Sequence, residues 1–230
     1  MKLLAVETSS HACSVALQVG DEVQEKHVVE AKAHTRILLP MIRTLLDGAE
    51  LKVSDLDALV LGNGPGSFIG MRIGASVVQG LAFAADLKIV PISSLAVVAV
   101  EVFQSHAGDH AAIAQDARMN QVYFGCFERD KAGLPVALGV ERIHDIEEIE
   151  ALKEFSDLPW LAAGAGWQQY PSLAQLQKPK LTVLGEIALP RASNLFGLAK
   201  KLIESGKSIP PEQLQPAYLR EQVAVPPKPR

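Results

Sequence analysis

The sequence has 230 residues, of which 48% are hydrophobic and only 5% aromatic, so it can form one large domain or two smaller lobes with a mainly aliphatic core. The net charge of −4 argues against a protein that grips nucleic acid over a broad basic surface by itself, and leaves a role through a partner open. We expect a cytoplasmic protein without membrane contact, because Glu7 interrupts any signal-peptide core and no apolar run approaches the ~20 residues of a membrane span.

The first half of the chain alternates strands and helices in the order βββαβαβα. Strands are predicted by short apolar runs or apolar alternation between turn residues, and helices by longer stretches of helix-forming residues, with a clear three- and four-residue apolar spacing in the first. The predicted strands cover residues 3–6, 12–19, 23–29, 58–61 and 89–92, and the predicted helices cover 35–47, 67–85 and 94–104. Gly48 ends the first helix, and Pro40 should distort its first turns.

The second half repeats a similar order, βββαβα, in a shorter form. Strands are predicted at residues 111–116, 121–128, 136–142 and 158–163, and helices at 145–154 and 191–204. The repeat predicts an α/β protein with an N-terminal lobe at residues 1–104 and a reduced C-terminal lobe at 105–208. Residues 209–230 contain six prolines and form a Pro-rich tail, whose end we expect to be flexible.

A glycine-rich stretch at residues 62–74 joins a predicted buried strand to the helix at 67–85. Its spacing does not match the P-loop, because no Lys follows, and it does not match G-x-G-x-x-G, because Ser67 stands where the third glycine belongs. Two interpretations remain open. The loop either holds an anion at the helix N-terminus or is a tight turn without a ligand.

Three glycines lie inside the helix that follows, Gly70, Gly74 and Gly80, and each destabilises a helix interior by ~0.5–1 kcal/mol relative to Ala. Close packing must offset that cost. Gly70 and Gly74 leave a small-residue face that either packs on the helix at 35–47 or, where exposed, is an association surface. We favour association, and expect Gly74→Leu to weaken partner binding while the monomer stays folded.

Two turns are expected to oppose each other across a cleft between the lobes, at residues 8–10 and 117–120. Actin-like and hexokinase-like proteins hold ATP phosphates at such turns, with glycines that let the backbone approach the ligand. Neither turn here contains a glycine. Thr8, Ser9 and Ser10 therefore either contact a nucleotide or serve as turn residues that bond their own backbone.

Two histidines, His106 and His110, have the H-x-x-x-H spacing that places two imidazoles on one helix face for a divalent metal. Gly108 lies between them, past the expected helix end, and we find no third ligand, so a solvated linker is the better interpretation. Cys13 and Cys126 lie in separate apolar segments and are expected to be buried reduced thiols.

Four blocks of sequence resemble the bacterial TsaB (YeaZ) family, and they span nearly the whole chain in the family's order. The blocks are LAVETSS with CSVAL at residues 4–17, GPGSFIGMR at 64–72, DARMNQVY at 116–123 and PAYLR at 216–220. One departure is Ile69, where the family usually has Thr, which removes a hydroxyl from the loop.

The resemblance implies an actin-like ATPase fold (ASKHA, ribonuclease H-like) of two duplicated lobes, the second shortened. It also implies a role in making threonylcarbamoyladenosine (t6A) beside the anticodon of tRNAs that read codons starting with A. In that pathway the paralogue TsaD transfers the threonylcarbamoyl group with a metal held by an H-x-x-x-H pair, and the ATPase TsaE joins the complex. TsaD has its histidines after the strand corresponding to residues 89–92, where this chain has Ser93, Ser94 and Val97. The metal role is therefore not transferred to His106 and His110.

The resulting hypothesis is a non-catalytic scaffold that binds TsaD, forms a homodimer when alone and meets tRNA through the complex. No catalytic or metal-binding residue is assigned, and no cofactor is expected to bind tightly, with ATP or ADP held only in the complex. The expected partner-binding residues lie on the helices at 37–46 and 67–85: Leu38, Met41, Ile42, Leu45, Gly70, Met71, Gly74 and Val78. The candidate residues of a residual nucleotide cleft are Thr8, Ser9, Ser10, Gly64, Gly66, Ser67, Asp116, Arg118, Gly164 and Gly166.

Two rival hypotheses remain. In the first, the chain is itself an ATP- and metal-dependent enzyme of this fold, an ATPase or an M22 glycoprotease-like peptidase, as some family members are labelled. In the second, it binds tRNA directly through four basic residues, Arg118, Arg220, Lys228 and Arg230. Direct binding would show a steep salt dependence without partners.

Overall fold

Two mixed β-sheets form the framework of the computed structural model, which describes residues 1–30, 32–151, 158–175 and 180–220. The first sheet contains β1 (Lys2–Glu7), β2 (Ala12–Val19), β3 (Glu22–Val29), β4 (Ala58–Gly62) and β5 (Ile89–Ile92). β1 to β3 form an antiparallel meander, and β4 and β5 add to it in parallel. The strand order is β3-β2-β1-β4-β5, so β1 and β4 are central strands with both faces covered.

The second sheet repeats this topology. It contains β6 (His110–Arg118), β7 (Gln121–Arg129), β8 (Pro135–Ala137), β9 (Arg142–Asp145), β10 (Trp160–Ala163) and β11 (Leu181–Val183). Its order is β11-β10-β6-β7-β8, with β9 also paired to β7. With β8 and β9 counted as one divided strand, both sheets have the order 3-2-1-4-5 from the start of each half, with the same parallel and antiparallel neighbours. The expected α/β class and the expected duplication of the lobe are confirmed.

Two local predictions in the second half were wrong, and one strand was missed. The predicted strand at 136–142 is divided into β8 and β9 by a bend that contains Gly139, a residue that weakens a strand interior. The predicted acidic helix is a 3-10 helix over Ile146–Ala151, and residues 152–154 lie outside the described ranges. Glutamates at three- and four-residue spacing repel one another and weaken a longer α-helix. β11 was not predicted.

Five α-helices pack on the two sheets within the described residues: α1 (His34–Gly48), α2 (Phe68–Ala85), α3 (Ser94–Ser105), α4 (Ala165–Gln169) and α5 (Leu195–Glu204). α1 and α2 cover one face of the first sheet. α3 packs mainly on the second sheet, although Val97 reaches the core of the first. Its position between the sheets ties the lobes together.

α5 follows the second sheet in sequence but packs on the first. Its Leu195 and Phe196 lie in one buried cluster with Leu3, Val60 and Val90 of the first sheet. The residue boundaries proposed for the lobes stay a prediction. The sequence could not reveal that α5 packs on the first sheet, because both sheets present the same aliphatic residue types.

Residues 209–220, which we call the C-terminal strap, lie along the first lobe. The backbones of Ile209 and Ile89 exchange two hydrogen bonds of 2.8 Å, and Leu214 is buried in the core beneath α1 and α2. The first part of the Pro-rich tail therefore joins a core. The end of the tail, which we expected to be flexible, falls in residues 221–230, outside the described ranges.

α2 corrects one sequence-based statement. It has 18 residues and a mean hydropathy of 1.4, so by length and composition it does reach the dimensions of a membrane span. A core helix of a globular lobe meets the same criterion, and α2 buries Gly70, Met71, Gly74, Ala75, Val78 and Ala82 against the protein. Its apolar character is explained by that packing and by an exposed apolar face described below.

Candidate functional site

A cleft of about 370 Å³ lies between the two lobes, and both predicted turns contribute to it. The candidate residues that line the cleft are Ser10, Gly66, Ser67, Asp116 and Arg118. The remaining candidates, Thr8, Ser9, Gly64, Gly164 and Gly166, are buried. Whether any of the ten contacts a nucleotide stays a prediction.

The first-lobe turn is held by the glycine-rich loop. The Thr8 hydroxyl donates to the Gly70 carbonyl at 2.8 Å, and Ser67 N–H donates to the Ser9 carbonyl at 2.6 Å. A β-carbon at Gly66 or Gly70 would overlap the backbone carbonyl of Ser9 or Thr8. These glycines are needed because two backbone segments approach closely, so the loop is packed on the turn rather than open for a phosphate.

A buried carboxylate, Glu7, lies at the end of β1. One carboxylate oxygen accepts from Ser9 N–H at 2.6 Å, and the other accepts from the Ser94 hydroxyl at 2.7 Å. Any side chain at Gly62 would overlap the Glu7 carboxylate, so the backbone of Gly62 packs directly on this carboxylate inside the lobe. Sequence reasoning did not select Glu7 as a site residue, although a lone acidic residue ending an apolar strand was an available signal.

Burial raises the pKa of Glu7 from its usual 4.5, against the opposing effect of its hydrogen bonds from Ser9 and Ser94. A carboxyl with a raised folded-state pKa favours folding most below its unfolded-state pKa and loses that contribution as pH rises through the folded-state value. We therefore expect wild type to lose stability relative to Glu7→Gln as pH rises from about 4.5. Urea unfolding of both proteins between pH 4 and 8 measures this trend, and a constant difference would contradict it.

The second-lobe turn has an unusual backbone. Arg118, Met119 and Asn120 have φ values of 64°, 57° and 59°, a left-handed conformation that side-chain-bearing residues seldom adopt in succession. Asp116 supports the turn, because one carboxylate oxygen accepts from Arg118 N–H at 2.8 Å and from the Tyr170 hydroxyl at 2.9 Å. Burial, together with this hydrogen bond, raises the pKa of Tyr170. Asp116 is thus engaged by the protein, while most of the Arg118 side chain is in solvent.

Gly164 and Gly166 serve the packing of the second lobe. A β-carbon at either position would press on the backbone of Ala114 in β6, and Gly164 has a φ of 105°. Only Ala165, between them, lines the cleft.

The two histidines of the H-x-x-x-H pair have different neighbours. His106 Nε2 lies 3.3 Å from a carboxylate oxygen of Glu186, and the His110 ring lies 5.1 Å from the Trp160 ring. Among the described residues, no group of three or more His, Cys, Asp or Glu is arranged to hold a metal ion. The pair thus has no shared ligand geometry.

The start of α3, where the resemblance places the metal-binding histidines of TsaD, has a different chemistry here. The Ser93 hydroxyl caps the helix by accepting from Leu95 N–H at 3.1 Å and Ala96 N–H at 3.2 Å, and it donates to Glu141. Val97 is fully buried. Burial also raises the pKa of Glu141, which comes from the second lobe. These groups cap a helix and join the lobes.

The eight residues expected to bind a partner lie in the core instead. Leu38, Met41, Ile42 and Leu45 of α1 are each at most 6% exposed, as are Met71 and Val78 of α2, and Gly70 and Gly74 are also buried. The apolar stripe of an amphipathic helix faces the interior of its own domain, and α1 follows that rule. Gly70 and Gly74 approach Thr8 and not a second helix. These residues therefore form no surface for a partner in this structure.

A different face of α2 is exposed and apolar. Ile69 is 70% and Phe83 is 79% exposed, and Gly80 lies between them with open space where a side chain would be. The spacing of three to four residues places these on one side of the helix with Ile73 and Ser76. We call these five residues the α2 outer face. Its apolar groups are Ile69, the half-buried Ile73 and Phe83, and the small residues Ser76 and Gly80 lie between them. Large exposed apolar side chains beside small residues favour a surface that another protein covers.

Comparisons with known proteins give the family. Residues 28–226 match the family model described as TsaD, tRNA N6-adenosine threonylcarbamoyltransferase. The protein named tRNA threonylcarbamoyladenosine biosynthesis protein TsaB in Escherichia coli is 34% identical over 97% of this chain and 96% of its own length. The TsaB of Haemophilus influenzae is 36% identical over 97% and 95%, respectively.

Solved structures agree with the sequence comparison. YeaZ from Pseudomonas aeruginosa is 37% identical and superposes with a TM-score of 0.86 over 95% of this chain and 99% of that one. A second structure from the same organism, of a protein described as similar to the peptidase YeaZ, has 36% sequence identity to this chain and a TM-score of 0.85. With its four sequence blocks, its duplicated lobes and relatives matched over nearly their whole length, this chain belongs to the TsaB (YeaZ) family.

Proposed function

We propose that this protein is a non-catalytic scaffold and activator in t6A synthesis, needed by a TsaD-like paralogue that modifies the adenosine next to the anticodon. The pathway is supported by the names of its relatives, which are t6A biosynthesis proteins. One observation carries the non-catalytic role. Glu7 is sealed behind Gly62, the Thr8 hydroxyl is bonded to Gly70, and Asp116 is bonded by Tyr170. An ATP-using enzyme would direct such groups at its ligand, whereas here they make hydrogen bonds within the protein.

The proposed contact with the TsaD-like paralogue is the α2 outer face, which replaces the buried residues first selected. A second copy of the chain covers the same apolar face when the paralogue is absent, so homodimer and heterodimer exclude each other. A TsaE-like ATPase joins the pair, and tRNA binds through the complex in the cytoplasm. The net charge of −4 favours this indirect contact with tRNA.

We also propose that the chain alone binds no cofactor tightly, and that ATP or ADP enters the cleft only in the complex. Calorimetry of the isolated protein with ATP and Mg²⁺ is expected to show no binding in the micromolar range. The hydrogen bond of the Thr8 hydroxyl would have to break to reach a phosphate, and those accepted by Glu7 and Asp116 would have to break to reach its Mg²⁺, which opposes binding. Micromolar affinity with turnover of ATP would contradict this proposal.

The enzyme alternative has one observation in its favour. The cleft between the lobes is large enough for a small ligand, and Ser10, Ser67 and Arg118 line it. A peptidase or ATPase activity of the isolated chain would support that alternative. Neither should be detected if the protein is a scaffold.

Omission from a reconstituted reaction tests the proposed function. The reaction contains the TsaD-like paralogue, the TsaE-like ATPase, tRNA and substrates, and the measured quantity is t6A in the recovered tRNA. We expect t6A to form only when this chain is present, and the chain alone to form none. Equal t6A without the chain would overturn the proposal.

A further inference from the structure

The C-terminal strap crosses from the first lobe to the second, and it is fixed to the first lobe by its backbone. The Gln79 side chain donates to the Pro211 carbonyl at 2.7 Å, and Asn63 Nδ2 donates to the Gln215 carbonyl at 2.8 Å. The Asn63 carbonyl in turn accepts from Ala217 N–H at 3.0 Å. The strap therefore has a defined path up to residue 217.

Aromatic and cationic side chains add a second attachment at the start of α2. The Tyr218 ring lies 5.2 Å from the Phe68 ring, and its hydroxyl accepts from Arg72 Nε at 2.9 Å. The Arg72 guanidinium lies 3.8 Å from the centre of the Phe68 ring, within the range of a cation–π contact. Tyr218 thus anchors the strap to the first lobe directly before the strap reaches the second.

At the second lobe the strap contributes Arg220, whose guanidinium contacts both sides of the turn that lines the cleft. It donates to the Ala117 carbonyl at 2.7 Å and to Gln121 Oε1 at 2.8 Å, and it lies 3.4 Å from Met119 Sδ. One planar, rigid group therefore holds the residue before the left-handed run and the residue after it.

The turn needs such support, because three successive left-handed residues with side chains cost free energy and persist only where their surroundings fix them. Asp116 fixes the turn from within the second lobe, through Arg118 N–H. Arg220 fixes it from a segment anchored on the first lobe. Arg118 and Met119 line the cleft, so the strap determines the shape of one cleft wall.

We propose that Arg220 is a positioning residue, and that the strap uses its anchorage at Tyr218 to hold the cleft-facing turn at 117–121 in its left-handed form. This positioning role rests on the proposed function in one respect: the turn that Arg220 holds is taken to serve the complex with the TsaD-like paralogue. Neither Tyr218 nor Arg220 belongs to the α2 outer face, so partner binding and turn positioning can be separated.

Amide hydrogen exchange of the isolated chain tests the physical claim. Arg220→Ala removes the contacts between the strap and the turn, and Tyr218→Leu removes the ring contact and hydrogen bond that anchor the strap at the start of α2. Gln215→Ala, which alters an exposed strap side chain, is the matched control. Both Arg220→Ala and Tyr218→Leu are expected to speed exchange at residues 117–121 at least tenfold with no change in α1, and the control to leave it unchanged. Wild-type exchange at the turn in Arg220→Ala or in Tyr218→Leu would overturn the proposal.

The reconstituted t6A reaction tests the consequence. Arg220→Ala is expected to lower the maximal rate about tenfold, while the concentration of the variant that gives half of that rate stays at the wild-type value. If Arg220→Ala speeds hydrogen exchange at the turn but keeps the wild-type maximal rate of t6A formation, the positioning role is overturned. If wild type itself supports no t6A synthesis, the proposed function fails, and the exchange measurement still decides whether the strap holds the turn.

Discussion

Gly74→Leu is expected to lower the free energy of unfolding of the isolated chain by ~3 kcal/mol, at the upper end for an overpacked core position. A β-carbon at Gly74 would overlap the Thr8 hydroxyl oxygen and lie 3.4 Å from a methyl of Leu61. The Thr8 hydroxyl cannot move away without losing its buried hydrogen bond to Gly70. Urea denaturation of the purified variant and wild type at one fixed protein concentration measures the loss.

Gly80→Ala is the matched control on the same helix. Gly80 is exposed with open space around it, so a methyl group there is expected to stabilise α2 by ~0.5–1 kcal/mol. A Gly74→Leu protein as stable as wild type would contradict the packing described for the first-lobe turn. That result would restore the interpretation of Gly74 as an association residue, which the sequence suggested and the structure does not support.

The second large effect is expected at the α2 outer face. Phe83→Asp should weaken association with the TsaD-like paralogue by ~2 kcal/mol, or roughly 30-fold in Kd, because an exposed aromatic side chain that becomes buried is a typical hot spot. Its 79% exposure means that the monomer should keep its stability. Titration calorimetry of the two purified proteins measures the Kd.

Val140→Asp is the control for Phe83→Asp. Val140 is 73% exposed and lies between β8 and β9 of the second lobe, so the substitution makes the same kind of chemical change outside α2. We expect wild-type affinity from Val140→Asp. Wild-type affinity from Phe83→Asp, or equal losses from the two variants, would show that the outer face is not the contact.

Most of the framework could be predicted from sequence. Continuous apolar runs placed β1 and β4, and alternation placed β2. The three- and four-residue apolar spacing placed α1, and the run of helix-forming residues after the glycine-rich stretch placed α2. The repeat of strand order predicted the two sheets, which share the order 3-2-1-4-5. These features depend on local periodicity, which a single sequence records directly.

The role of individual residues on α2 could not be predicted in the same way. The glycines at 70, 74 and 80 have equal costs in a helix, but two are buried against Thr8 and one is open to solvent. Sequence spacing does not tell which side of a helix meets the sheet when apolar residues surround it. The stripe on α1 was predicted correctly as one face of the helix; it is buried in this chain, and its role in partner binding stays a prediction.

Contacts between residues far apart in the sequence were the other feature that could not be predicted. Glu7 and Ser94 are 87 residues apart in sequence, and Arg220 meets Ala117 across 103. Nothing local in the tail predicts that Arg220 brackets a turn in the second lobe. Its sequence signal was the PAYLR block, which indicated the family and not the contact.

The rate of t6A formation, measured against the concentration of this chain, is the most direct test of a scaffold that acts by binding the TsaD-like paralogue. If the protein acts by binding the TsaD-like paralogue through the α2 outer face, Phe83→Asp will reach the wild-type maximal rate, with its midpoint shifted roughly 30-fold to higher concentration. A lower maximal rate with an unchanged midpoint would mean that Phe83 acts in the reaction and not in association, and would contradict the account.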